Sequence, residues 1–309
     1  MQRLLHDRAA VLSAAVLAII LLACALAPLY AARVSGTDPF HSNIDGRVGD
    51  AEVLRQNTEG LGLGTTPIGP GWRGPYLLGA DGQGRDLAAR LLFGGRTSLI
   101  IATSATALSL LLALPIGVLA GYGGGAVDAG LRWLMDLLWA FPVYLLAISL
   151  SAVLISSGLR IGPITISADS LLLPIAILGI IYVPYVARPL RSEVRALAET
   201  EFVVAAVALG ATPAHILWRH VLPDTVLQLV LFAPVVMAFD LLTEAALSVL
   251  SIGVQAPAAS WGTLIGDGQV LIYTRPIAAI APGLAVVATV LALNVLSERV
   301  RLAINPRAG

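Results

Sequence analysis

Stretches of about twenty apolar residues recur along this chain, and no other feature narrows its fold as sharply. Runs such as Ala9 to Ala32, Thr97 to Gly121 and Pro276 to Leu296 are long enough to cross the ~30 Å hydrocarbon core of a bilayer as helices. In lipid a helix is favoured because it satisfies every backbone donor and acceptor within itself. Across 309 residues, 57% are hydrophobic and 12% charged, with mean hydropathy +0.86, which excludes an ordinary soluble domain. All 19 basic residues are arginine. Without lysine there is no Gly-Lys-Ser/Thr phosphate grip, so if ATP powers the chain, another chain hydrolyses it. A formal net charge of zero gives no case for nucleic acid. The lone Cys24 allows neither an internal disulfide nor a cysteine-ligated metal site.

The pattern predicts an all-α membrane protein with six transmembrane helices. Residues 1–32 form a short basic start, with Arg3 and Arg8, and the first span. Leu21-Leu22-Ala23-Cys24 and Leu29-Tyr30-Ala31-Ala32 could pass for processing sites, but the apolar run outlasts a signal-peptide core and reads as an anchor. Residues 33–96 form an extracytoplasmic loop, polar and partly irregular to Tyr76. Residues 97–309 hold the other five spans: Thr97 to Gly121, Asp136 to Ile155, Leu171 to Ala187, one within Asp224 to Ile252, and Pro276 to Leu296. Pro174, Pro184 and Pro189 interrupt the fourth of the six. Arg188, Arg191, Arg195 and Arg219 place the segment before the fifth span in the cytoplasm, and Arg3, Arg8 and the tail around Arg299 to Arg307 put both termini there.

The segment at about 192–223 is where the chain carries charge and rings between two apolar spans. Within Glu201 to Pro223, Gly210 ends one helix, and Thr212 with Pro213 reads as N-cap and first position of the next. On that second short helix His215, Arg219 and Leu222 share one side and Trp218 and Val221 another, a surface suited to a partner's groove. His215 and His220, five apart, point to different faces and form no joint metal site.

Ala205-Ala206, Gly210 and Leu222-Pro223 in this order resemble the cytoplasmic EAA loop of permease subunits of bacterial ABC importers, although Val204 replaces the name-giving glutamate. Collinear blocks are similar to the dipeptide, oligopeptide and nickel group: Gly79-Ala80-Asp81-Gly82-Gln83-Gly84-Arg85-Asp86, Asp136-Leu137-Leu138-Trp139-Ala140-Phe141-Pro142, the stretch from Thr243 to Gln255, and Pro257 to Gly262. The resemblance implies the type I importer, MetI-like, transmembrane fold in a bacterial inner membrane. It implies a second homologous permease subunit, two ATP-binding subunits that hold ATP and Mg, and an extracytoplasmic substrate-binding protein. It also implies that coupling to the ATPase falls on the loop through Gly210, and that Ser260 and Trp261 lie where the binding protein docks; Trp261 equally suits an interfacial anchor.

Physically, Asp81 suits the cap of a turn, and Asp86 suits a cap or a pairing across it with Arg85 or Arg90. Asp240 and Glu244, four apart, share a helix face at membrane depth, where each acid costs roughly 2.5 to 3.5 kcal/mol on insertion scales. Either they line a translocation path or they tie the helix to a neighbouring helix or to a second permease chain. A proton- or cation-coupled secondary transporter using the same two acids is the rival reading. No His-Glu-x-x-His, no Gly-x-Ser-x-Gly and no metal cluster marks a catalytic centre, and the chain calls for no cofactor of its own.

Overall fold

The structure is a computed structural model and describes residues 6–56, 64–71, 74–161 and 164–304. Arg3 and Asn305-Pro306-Arg307, two of the expected orientation signals, lie outside the described residues. Helix α1, Arg8–Ala25, starts where Asp7 accepts the backbone N–H groups of Ala9 and Ala10. It leaves Leu12, Ile19 and Leu22 exposed on a flank suited to lipid. A single turn α2, Ala27–Tyr30, and a π turn, Ala31–Ser35, end at Gly36. The loop, expected to be partly irregular, contains two short antiparallel ribbons: β1, Arg47–Val48, with β2, Ala51–Glu52, and β3, Leu54–Gln56, with β4, Thr65–Pro67. Short polar strands give too little alternation to read in sequence.

Helix α3 runs Leu87–Gly123, ten residues earlier in start than the expected second span. Asp86 caps it, accepting from Ala88 N and Ala89 N. At ~1.5 Å per residue it reaches roughly 55 Å, longer than the hydrocarbon core, so its first turns stand outside lipid. The expected third span is bent. Helix α4, Gly125–Trp139, and helix α5, Val143–Ser157, meet at 81° across Ala140-Phe141-Pro142, because Pro142 disfavours a helical residue before it. A ribbon of β5, Leu159–Ile161, and β6, Ile164–Ile166, follows.

The fourth span is also two helices, α6, Leu172–Ile181, and α7, Val183–Ala198, broken at Tyr182. Pro174 and Pro184 fall in first turns, where no intrahelical donor is lost, so only Pro189 interrupts a helix interior. Helix α8, Glu201–Ala208, and α9, Pro213–Ile216, flank the Gly210 turn. A π turn, Leu217–Val221, joins α9 to α10, Leu222–Val249. Helices α11, Trp261–Gln269, and α12, Ile277–Ile304, complete the chain. Among the described residues five helical stretches are long and apolar enough to span a membrane, and the bent α4–α5 pair supplies a sixth.

Helix α3 is the hub, packed on α6, α7 and α10, while α12 joins α1, α10 and α11. The main core gathers Ile101, Leu178, Val186, Val236 and Leu247, all buried. At Gly121 the two long elements nearly touch: an added Cβ would stand 2.6 Å from the carbonyl oxygen of Arg191. A side chain there would force α3 and α7 apart, at a cost of about 1–3 kcal/mol.

Candidate functional site

The turn at Gly210 closes as a full Schellman motif. Ala211 N–H donates to Ala206 O at 3.0 Å and Gly210 N–H to Val207 O at 2.9 Å, with Gly210 at φ +87°. No atom stands near a Cβ built on Gly210, so backbone conformation rather than space requires glycine. Thr212 then caps α9 by accepting from His215 N, and Pro213 sits in its first turn. Val203, Ile216 and Val221 are buried with Val118 and Val194 beneath the turn, fixing both limbs to α3 and α7. The opposite face is bare: Leu209 is 89% exposed and Trp218 71%, with Phe202, Val204, Ala205 and Val207 also exposed and Ala206 half-buried.

Three expectations about this segment are corrected. The second limb does not end at Leu222-Pro223, since the backbone stays helical into α10 through the π turn. Trp218 and Val221 do not share a side; Val221 is fully buried, and of the other set His215 and Arg219 are exposed while Leu222 is half-buried. His215 and His220 are also neighbours, with ring centroids 6.0 Å apart, and Phe202 adds a ring 5.8 Å from His220. One cause underlies the last two: a π turn holds more residues than an α turn, so positions five apart align and positions three apart separate. Among the described residues no group of three or more His, Cys, Asp or Glu side chains is placed to hold a metal.

Behind the turn, α4 is clasped to α7. Arg191 donates twice to Asp128, with Nη2 to Oδ2 at 2.6 Å. Arg188 donates to Asp136 at 2.7 Å and lies 4.3 Å above the Trp139 ring. In sequence, Arg188 and Arg191 gave only an orientation and Asp128 gave nothing, because the pairing bridges 63 residues.

Asp240 and Glu244 share a face of α10, as their spacing requires, and both are fully buried. That face meets α3. Thr106 donates to Asp240 at 2.7 Å, and Ser98 and Ser248 each donate to Glu244 at 2.8 Å. Ser98 Oγ also accepts the Trp261 N–H, and Ser248 Oγ accepts the Val254 N–H. One carboxylate therefore joins α3, α10, α11 and the loop between the last two. The second oxygen of Asp240, Oδ1, is buried without a hydrogen-bond partner. Tyr182, at the break between α6 and α7, shares a 2.7 Å hydrogen bond with Thr243 of α10.

Ser260 and Trp261 are 0% and 2% exposed, so in this structure neither presents its side chain to a docking protein or to the interface. Ser260 forms a capping box with Thr263, and the Trp261 indole donates to Leu91 O at 3.0 Å. Nearby, at the end of the bundle remote from Gly210, lies an ionic cluster. Asp81, not Asp86, takes the arginines: Arg85 Nε lies 2.7 Å and Arg90 Nε 3.2 Å from Asp81 Oδ2. Asp267 reaches the Nη2 groups of the same two arginines at 3.5 and 3.4 Å. Burial pushes the Asp267 carboxyl above the usual range despite both guanidinium groups. A cavity of about 360 Å³ opens beside this cluster.

Residues 113–309 match a family model described as the binding-protein-dependent transport system inner membrane component. The dipeptide transport system permease protein DppC of Alkalihalophilus pseudofirmus is 33% identical over 232 residues, 75% of this chain and 72% of that protein. A putative peptide permease protein of Brucella ovis is 31% identical over 308 residues, 99% of this chain and 89% of that protein. Among solved structures, the inward-facing methionine ABC transporter MetNI aligns with TM-score 0.56 at 17% identity, covering 70% of this chain and 96% of that one, which supports the fold.

Proposed function

The chain belongs to the binding-protein-dependent transport system inner membrane component family, and from that membership we propose that it forms half of the pathway of an ATP-driven importer of di- and oligopeptides. The peptide class rests on the named relatives. As a permease subunit it hydrolyses nothing itself. Two ATPase subunits carry ATP and Mg, a second permease chain of related fold completes the pathway, and an extracytoplasmic binding protein delivers the substrate. The Gly210 turn faces the cytoplasm, and the cavity beside Asp267 faces outward.

The observation that carries the coupling role is the turn itself, a rigidly capped pair of limbs buried on one side and apolar and bare on the other. A groove on an ATPase would take Leu209 and Trp218 as anchors. When ATP draws the two ATPases together, the displaced limb runs on as helical backbone into α10, so the push reaches the helix carrying Asp240 and Glu244 through the π turn and past Pro234. Both acids hold α10 to α3, and a cation-coupled mechanism draws no support from the relatives.

The test is uptake of labelled dialanine by proteoliposomes containing the assembled complex and its binding protein. Uptake should require ATP on the ATPase side and survive collapse of the proton gradient. Trp218→Ala and Gly210→Asp should leave the chain inserted but reduce ATPase co-purification severalfold. Uptake driven by a proton gradient without ATP, or full attachment in both variants, would overturn the assignment.

A further inference from the structure

We infer that the cavity beside α11 receives the C-terminal carboxylate of a short peptide, in a fork made by Arg85 and Arg90 that Asp267 fills in the meantime. This rests on the peptide reading above and adds where the substrate is gripped.

The two arginines are fixed from behind. Asp81, almost wholly buried, holds Arg85 Nε at 2.7 Å, and Pro39 O accepts from Arg90 Nη1 at 3.1 Å. Their side chains are 8% and 2% exposed, so neither can swing away to find water. Two buried cations facing one buried anion need a second negative group. Asp267 provides it poorly: its Oδ2 sits at 3.5 and 3.4 Å from the two Nη2 groups, at the outer limit of a hydrogen bond, and its side chain is 49% exposed. A free carboxylate can meet paired guanidinium donors at the shorter distances of charge-assisted bonds.

The space in front fits that guest. At about 360 Å³ the cavity lies in the range of small-molecule sites. Gln83, Ser251 and Gln255 offer amide and hydroxyl groups to a peptide backbone, and Val254, Pro257 and Val270 offer apolar wall to side chains. Once displaced, Asp267 remains at the rim as a half-exposed anion.

The experiment uses protection of an introduced thiol. Cys24 is buried, so Gln255→Cys, or Gln83→Cys on another part of the wall, provides the only accessible thiol of this chain within the assembled transporter. Labelling by a charged maleimide is read by mass spectrometry on this chain, with trialanine, trialanine amide or acetate present at equal millimolar concentration. Trialanine should slow labelling severalfold and the other two should not. Asp267→Asn, which removes the resident competitor, should lower the protective trialanine concentration ~10-fold, equivalent to one charge-assisted contact. Equal protection by the amide or by acetate overturns the proposal, and so does an unchanged protective concentration in Asp267→Asn. Labelling needs neither ATP nor the binding protein, so a negative result here leaves the ATP-dependent uptake test standing, and the reverse also holds.

Discussion

Glu244 accepts from two hydroxyls, and each hydroxyl accepts a backbone N–H in turn. Truncating it strands two buried donors, whereas an amide of the same shape keeps one acceptor in place. Glu244→Ala should therefore destabilise the purified complex by ~1–3 kcal/mol and Glu244→Gln by less. The difference is read as unfolding temperature, several degrees lower for Ala than for Gln; equal shifts would mean the carboxylate does not organise the junction. The spacing of Asp240 and Glu244 made their shared face legible, because four residues nearly complete a helical turn. Their partners were not legible. Ser98 and Thr106 lie 146 and 134 residues earlier, and a serine in an apolar run gives no local sign of which acid it will meet.

At the scale of elements, Gly210, Thr212 and Pro213 could be read directly because caps are local chemistry, each set by neighbours within five residues. The π turn that follows could not. It is imposed by packing: Ile216 and Val221, five apart, are both buried in one cluster, which an α-helix would not achieve. Inserting one alanine between Val226 and Leu227, within the regular part of α10 and clear of the π turn, should rotate the Gly210 limb by ~100° relative to the rest of α10. The chain should still insert, while ATPase co-purification and ATP-driven uptake fall at least severalfold; unaltered attachment would show that the register of the limb is irrelevant. The clasp between α4 and α7 supports the same limb from the side. Asp128→Ala and Arg191→Ala should each lower thermal stability, and the double variant should fall short of their sum by ~0.5–3 kcal/mol, since either change alone already breaks the pair. Strict additivity would place the pair outside the load path.

For the whole molecule, apolar run length disclosed the number of spans and the prolines disclosed the interrupted fourth, but nothing disclosed that the third bends by 81° at Ala140-Phe141-Pro142. Hydropathy averages over a window and is blind to a bend that keeps both halves apolar. Orientation rests on arginine placement alone, and it decides which end meets ATPases and which meets delivered peptide. The two ends of the bundle offer well-separated reporters: Leu209 beside the Gly210 turn and Tyr273 after α11, 89% and 97% exposed. With Cys24 buried, Leu209→Cys and Tyr273→Cys each present one accessible thiol on this chain. In cells lacking the partner ATPase subunits, so that Leu209 is uncovered, a membrane-impermeant maleimide applied to spheroplasts should label Tyr273→Cys at once and Leu209→Cys only after the membrane is opened. The opposite pattern would set the bare apolar turn outside the cell, beyond reach of any ATPase, and would remove the basis for coupling through it.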